Sequence, residues 1–461
     1  MTATLSAPMT LLRNADVYAP EPLGLQDLLL AGGSIVAMAP SLSTPPDDYD
    51  VRIVDLEGQR LLPGLIDCHV HLTGGGGESG PESRVPPVAL TQLTRAGVTT
   101  AIGLLGTDGT TRSIADLVTA ARGLCAYGFT AYCYTGSYQI PPPTLLGTVR
   151  EDLVLIERIV GIGEIAISDH RSSQPTLTEI VKLAADAHVS GLMTGKAGVL
   201  HLHVGDGKRG LSLIREALDT TEIPSRTFHP THCNRNPRLW EEVKSMTDYG
   251  VTFDVTAFPP DNESVYVTDA ISQWLDEGLP SEQLTVSSDG GGCLPCFDEQ
   301  GEMLHMDVGT SECLAITLRE LQERGYALET VLPFFTSNVA HKFRFHRKGR
   351  LAVGQDADLL VLNETHHVQD VWCRGRRMVI DGEAVVRGLY EESFLSIRRA
   401  LQWDGFHKTP RALHAGEVCT DVSLPGITSQ FSRPDHPHWW GRRERRRYKN
   451  SESLCQSLRW C

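Results

Sequence analysis

His69-Val70-His71 closes an apolar run, Leu61-Leu62-Pro63-Gly64-Leu65-Ile66-Asp67-Cys68, and is followed by Thr73-Gly74-Gly75-Gly76-Gly77-Glu78. Side chains alternate along an extended strand, so two histidines one residue apart share a face and can hold one metal ion between them. A strand that stays apolar to its last turn, carries paired imidazoles and then breaks into glycines fits a barrel strand feeding a loop-built site. Two unrelated surface histidines are the competing reading, and the rest of the chain decides between them.

Residues able to bind a divalent ion recur at the ends of later strand-like runs: Glu164, His203, His232 and Asp289. In a barrel of parallel strands those ends converge on one face. His201 alternates onto the same face as His203, and His229 lies three before His232. The later member of each pair is the better ligand, because His203 and His232 adjoin the turn signals Gly205-Asp206-Gly207 and Asn234-Arg235-Asn236-Pro237 and should reach the rim. His170, His188, His305, His366 and His367 read as ordinary histidines.

The elements that must position these groups are legible as eight short apolar runs: 61–71, 99–105, 130–135, 159–167, 199–204, 226–232, 251–257 and 284–288. Between them lie amphipathic stretches such as Ile114, Leu117, Val118, Ala121 and Leu124, with Asp116 and Arg122 on the opposite face. Alternation of this kind predicts repeated βα units, and eight of them predict a closed (β/α)8 barrel of the TIM type. Residues 9–40 and 351–388 are rich in Val, Leu, Gly and Asp at strand-and-turn spacing and are expected to form two halves of a small β-sandwich. The predicted division is thus residues 1–60 and 346–390 for the small domain and 61–345 for the barrel. Residues 391–461 form an extension ending in the basic run Arg442 to Lys449, expected to be largely disordered.

A chain of 461 residues accommodates a barrel with a smaller companion. With 57 acidic against 42 basic residues and a formal charge of -15, it is a poor partner for nucleic acid or an anionic membrane. A small soluble substrate is the better expectation. Eleven cysteines without paired spacing and a start, Met1 to Pro8, lacking a basic segment and apolar core point to reduced thiols and a cytoplasmic protein. Apolar runs such as Leu351 to Leu362 are broken by Asp356 and Asp358 and are too short for a membrane span.

The ordered set His-x-His, acidic residue on strand four, histidines on strands five and six and aspartate on strand eight resembles the amidohydrolase superfamily. Within it the chain is similar to the bacterial isoaspartyl dipeptidases, from about Met9 to Gly388. The matching segments are Asp67-Cys68-His69-Val70-His71-Leu72 with Glu78-Ser79-Gly80-Pro81, Gly103-Leu104-Leu105-Gly106-Thr107-Asp108 and Thr135-Gly136-Ser137-Tyr138. They continue with Ala166-Ile167-Ser168-Asp169-His170-Arg171-Ser172, Pro230-Thr231-His232-Cys233-Asn234-Arg235-Asn236 and Ser287-Ser288-Asp289-Gly290. The resemblance implies two zinc ions sharing a bridging hydroxide, His69 and His71 on one metal, His203 and His232 on the other, with Asp289 as metal ligand and general base and acid. It further implies that Glu78 meets the substrate ammonium, Arg171 the aspartyl α-carboxylate and Arg235 the carboxylate of the leaving residue. Gly76, Gly77 and Thr107 would shape the pocket, Tyr138 would donate to the carbonyl oxygen, and the protein would form homo-oligomers.

Two positions depart from that pattern. Where most of the family bridges its metals with a carboxylated lysine, this chain has Glu164, and its first lysine is Lys182, so no neighbour on that strand can substitute. Glutamate offers the same bidentate carboxylate on a shorter stem. Where the family uses a serine to bond the substrate carboxylate, this chain has Cys293, a weaker donor. A cyclic amide hydrolase of the dihydroorotase or hydantoinase kind and a non-catalytic scaffold on the same fold are the alternatives. Substrates of the former lack a free α-amino group, and the latter would not need the retained ligands.

Overall fold

The computed structural model describes residues 9–259, 264–297 and 303–391, so the predicted disordered extension lies outside the described residues from 392 onward. Eight parallel strands follow the predicted runs: Leu65–Val70, Val98–Gly103, Thr130–Thr135, Ile159–Ile167, Val199–Val204, Phe228–Thr231, Phe253–Thr256 and Leu284–Ser287. The first six pair in sequential order and the last two pair with each other. Both seams carry backbone bonds: Cys233 N–H donates to Asp254 O at 3.1 Å, and His71 N–H donates to Gly290 O at 2.8 Å, beside a bridge between Val70 and Gly290. The eight strands therefore form a ring.

Most of these strands are buried along their whole length, as parallel strands must be when helices cover one face and the barrel interior fills the other. The covering helices start where the sequence supplies caps. Ser113 accepts from Asp116 N ahead of Ile114–Ala126, and a Thr176/Glu179 capping box opens Leu177–Thr194. Ile114, Leu117, Val118, Ala121 and Leu124 are all buried, as their spacing predicts. Inside the ring, Ile66, Ile102, Tyr134, Val160 and Val199 pack with Val339 and Phe343 from the short helix Ser337–Lys342 and the residue following it.

The segments flanking the barrel are Met9–Tyr18 to Val51–Asp55 on one side and Leu359–Leu362 to Glu383–Ala384 on the other. Their pairings run through one nine-stranded sheet, with its own core of Leu12, Val17, Leu28, Ile35, Leu61 and Trp372. Met9–Tyr18 is the hub of these pairings, meeting Pro22–Ala31, Val51–Asp55 and Arg60–Pro63. Arg60–Pro63 in turn runs antiparallel to Leu359–Leu362. The predicted first strand is thus two strands broken at Gly64, where an added Cβ would lie 2.2 Å from the Thr99 side chain.

Candidate metal centre and substrate pocket

Six side chains from five strands meet at the C-terminal mouth. Glu164 is fully buried on strand four, and its two oxygens face opposite ways. Oε1 lies 3.7 Å from His69 Nε2 and 3.7 Å from His71 Nε2, while Oε2 lies 3.3 Å from His203 Nδ1 and 3.7 Å from His232 Nε2. Asp289 Oδ1 caps the first pair, 3.4 Å from His69 Nε2 and 3.1 Å from His71 Nε2. Donors held tetrahedrally at about 2.1 Å from a zinc ion stand about 3.4 Å from one another, so these spacings are those of ligand edges.

A second observation supports the fit. Among the described residues, buried His69 Nε2, Glu164 Oε2 and Asp289 Oδ1 have no hydrogen-bond partner, which is costly unless another group satisfies them. The residues present accordingly fit divalent metal binding, with His69, His71 and Asp289 forming one candidate triad and His69, Glu164 and His232 another that shares His69. Burial, then the charge of Asp289, lifts the Glu164 carboxyl well above its ordinary range. Burial also works to raise Asp289, but the His69 and His71 imidazoles outweigh it and hold that carboxyl well below its ordinary range. Bound cations would favour the ionised form of both.

Local backbone sets these directions. His232 and Asp289 lie just beyond their strands with φ of 60° and 53°, in the left-handed region. Such conformations cost on the order of 1–3 kcal/mol and persist where surrounding structure over-determines them. Beneath Asp289, the buried Asp67 carboxylate accepts from Ser288 N, Ser288 Oγ and Ser311 Oγ. Gly106 leaves room for His71, whose ring would stand 2.6 Å from any Cβ there.

The pocket residues continue outward from this cluster. Tyr138 Oη is 2.7 Å from His203 Nδ1, on the side of the ring that faces Glu164. Glu78 accepts from Thr107 Oγ1 at 2.7 Å, from Cys293 Sγ at 3.1 Å and from Arg171 Nη1 at 3.3 Å. Arg171 commits Nε and Nη2 to Asp169 at 3.1 and 2.8 Å and lies over the Tyr138 ring. Arg235 donates Nε to Val204 O, lies over Phe258, and keeps its terminal nitrogens 3.9 Å from Asp206, outside hydrogen-bond reach. Gly76, at φ 74°, turns where a Cβ would strike Ser83 O at 2.4 Å, and Gly77 follows at φ 107°. The thiol of Cys293 thus touches Glu78, a contact that its expected role on a substrate carboxylate does not include.

Comparison with known proteins decides the family: residues 60–385 match the amidohydrolase family. The chain belongs to the amidohydrolase family. It is 40% identical, with a TM-score of 0.79, to a β-aspartyl dipeptidase from Fervidobacterium islandicum AW-1 solved with a β-Asp-Leu dipeptide, covering 83% of this chain and 99% of that one. An allantoinase from Deinococcus radiodurans is 24% identical over 457 residues, 87% of this chain and 97% of its own length. An imidazolonepropionase from Pseudomonas aeruginosa is 40% identical over only 98 residues, which span 21% of this chain and 23% of that protein.

Two features of this amidohydrolase, Asp169 and Arg112, escape sequence reasoning. Asp169 accepts from His203 Nε2 at 2.9 Å while gripping Arg171, so one carboxylate orients both a candidate ligand and a candidate substrate arginine. The Asp-x-Arg spacing was a usable signal. His201 and His229 are turned away from the metal cluster and bond to each other, as their deeper position predicts. Arg112, buried, donates to the carbonyls of Thr73, Gly75, Gly76 and Val85 and to Asp108, and no local pattern in the sequence announces it.

Arg112 therefore holds the glycine loop that carries Glu78. Lysine has no planar fork to span four carbonyls. Losing a charged hydrogen bond costs about 1.5–3 kcal/mol, so Arg112→Lys is expected to raise the KM for substrate on the order of tenfold. Steady-state kinetics checks this, and an unchanged KM would show the loop to be held without it.

Proposed function

We propose that the protein is a zinc-dependent isoaspartyl dipeptidase, cleaving the amide formed through an aspartyl side chain. The observation that carries the reading is Glu78, an anionic group fixed by Thr107, Cys293 and Arg171 beside the metal cluster, where a free α-ammonium can be met. A cyclic amide has no such ammonium. The 40% identical dipeptidase structure with its β-Asp-Leu ligand supports the same substrate class.

Residues 61–345 would act as the hydrolase barrel and residues 1–60 and 346–390 as its small β domain. His69, His71 and Asp289 would hold one zinc ion, His203 and His232 the other, with Glu164 between them. A bound zinc pair supplies acidified water, of pKa ~7, and polarises the substrate carbonyl. Asp289 then takes the proton given up during attack and returns it to the departing amine. Tyr138 donates its hydroxyl to the carbonyl oxygen as negative charge develops there. Arg171, with Nη1 turned to the pocket, would bind the aspartyl α-carboxylate, and Arg235 would bind the carboxylate of the leaving residue. Gly76, Gly77 and Thr107 form the wall. Cys293 acts through Glu78, whose ionised state its thiol helps to hold.

A hydroxyl is a stronger donor than a thiol. Cys293→Ser is therefore expected to lower KM by about two- to fivefold with little change in kcat, the scale of one modest hydrogen bond; an unchanged KM would remove Cys293 from substrate binding. The deciding experiment for the function is release of aspartate from β-Asp-Leu by purified protein with zinc counted by elemental analysis. Turnover with about two equivalents supports the dipeptidase. Ring opening of a hydantoin without dipeptide cleavage would overturn it, and two metals without turnover on either would leave a scaffold. We further propose a cytoplasmic homo-oligomer, with light scattering the test of assembly.

A further inference from the structure

We infer that His201, His229, Thr285 and Asp254 form a hydrogen-bonded relay that positions His69, fixing its tautomer so that the Nε2 lone pair points into the metal cluster. This deepens the metal site proposed above and rests on that reading.

The contacts run in one line through the barrel interior. His69 Nδ1 lies 2.8 Å from His201 Nε2, His201 Nδ1 lies 3.0 Å from His229 Nδ1, and His229 Nε2 lies 3.1 Å from Thr285 Oγ1. Thr285 then donates to Asp254 Oδ1 at 2.7 Å. Its other acceptor, Phe253 O, is farther away at 3.4 Å. All five residues are buried.

The polarity follows from the far end. Asp254 is surrounded by donors, with Thr285 and Cys68 on Oδ1 and Thr231 and Ser287 on Oδ2. A carboxylate accepts only, and a threonine has one hydrogen to give. With that hydrogen spent on Asp254, Thr285 must accept from His229 Nε2–H. The Nδ1 of His229 is then bare and accepts from His201 Nδ1–H, and the bare Nε2 of His201 accepts from His69 Nδ1–H. Each imidazole is left with one proton and one lone pair, and the lone pair at the near end is His69 Nε2. Among the described residues that atom has no hydrogen-bond partner, and it stands 3.4 Å from Asp289 Oδ1 and 3.7 Å from Glu164 Oε1. The proton order depends on no ion, yet it ends on a candidate ligand atom.

Cys68, His229 and Asp254 also lie close enough to suggest a further metal site. Their hydrogen bonds argue against it: both nitrogens of His229 and both oxygens of Asp254 are engaged. The ring of His201 is held flat against Tyr134, with centroids 4.7 Å apart and planes at 3°, which keeps its two nitrogens in line with their partners.

Outer partners of metal-bound histidines are worth on the order of 10- to 100-fold in metal affinity. Thr285→Val removes the hydroxyl at nearly constant volume. In competition with a chromophoric chelator, zinc affinity of the variant is expected to fall tenfold or more, on the scale of such partners, while the melting temperature of the zinc-free protein stays near that of the wild type. Thr285→Ser should restore the affinity. If the valine variant binds zinc as tightly as the wild type, or if serine fails to rescue, the relay is wrong; loss of a third equivalent of zinc would also overturn it. If Thr285→Val does not fold, His201→Phe, which keeps the stacking on Tyr134, is measured in the same way, and wild-type affinity there would sink the inference. A wild-type protein that binds no zinc defeats the metal reading itself, whereas two tight sites indifferent to these substitutions defeat only the relay.

Discussion

Asp289→Asn is expected to reduce kcat for β-Asp-Leu by ~10²–10⁴-fold, the usual worth of a positioned acid and base. The carboxyl stands 3.4 Å from His69 Nε2 and 3.1 Å from His71 Nε2, at the mouth where a substrate amide would lie. Asparagine keeps the shape but cannot take a proton. Because Oδ1 also completes one face of the metal cluster, bound zinc must be counted in the same preparation. Retained zinc with collapsed turnover assigns Asp289 to proton transfer, and a loss below tenfold would assign the proton to another group.

Glu164→Gln should have an effect of similar size by a different route. Removing the charge between two histidine pairs should cost more than the ~100-fold typical of outer partners, with about one equivalent of zinc lost. In the metal-free protein, burial and Asp289 favour the protonated carboxyl. Zinc uptake should therefore release protons and weaken as pH falls, since the raised pKa makes acid compete directly with the metal. Wild-type zinc uptake should be the same with and without bicarbonate, because Glu164 would itself supply the bridging carboxylate proposed above. A strong bicarbonate requirement would remove Glu164 from that role.

Much of this was legible in the chain because the physics is local. Buried parallel strands must be apolar on both faces, so the eight runs stood out, and ligands at their ends inherited a common address. What escaped was set by tertiary contact. Arg60–Pro63 reads as the start of the first barrel strand, yet Gly64 must pass close to Thr99, and the break hands those residues to the outer sheet. His232 was expected as the last residue of its strand and lies one residue past its end with a positive φ, a turn that only its surroundings impose. Arg112 is isolated in sequence, and apart from Asp108 its partners are backbone carbonyls 27 to 39 residues away. Cys293 was placed on a substrate carboxylate, and the contact that local sequence could not show is its thiol's bond to Glu78, 215 positions distant.

The seam at which the ring closes joins His71 to Gly290 and Gly75 to Gly291, so the earliest and latest units of the barrel are tied together at the reaction centre. During synthesis, a nascent chain can carry every histidine of the cluster and still be inert until residues near 290 emerge and dock.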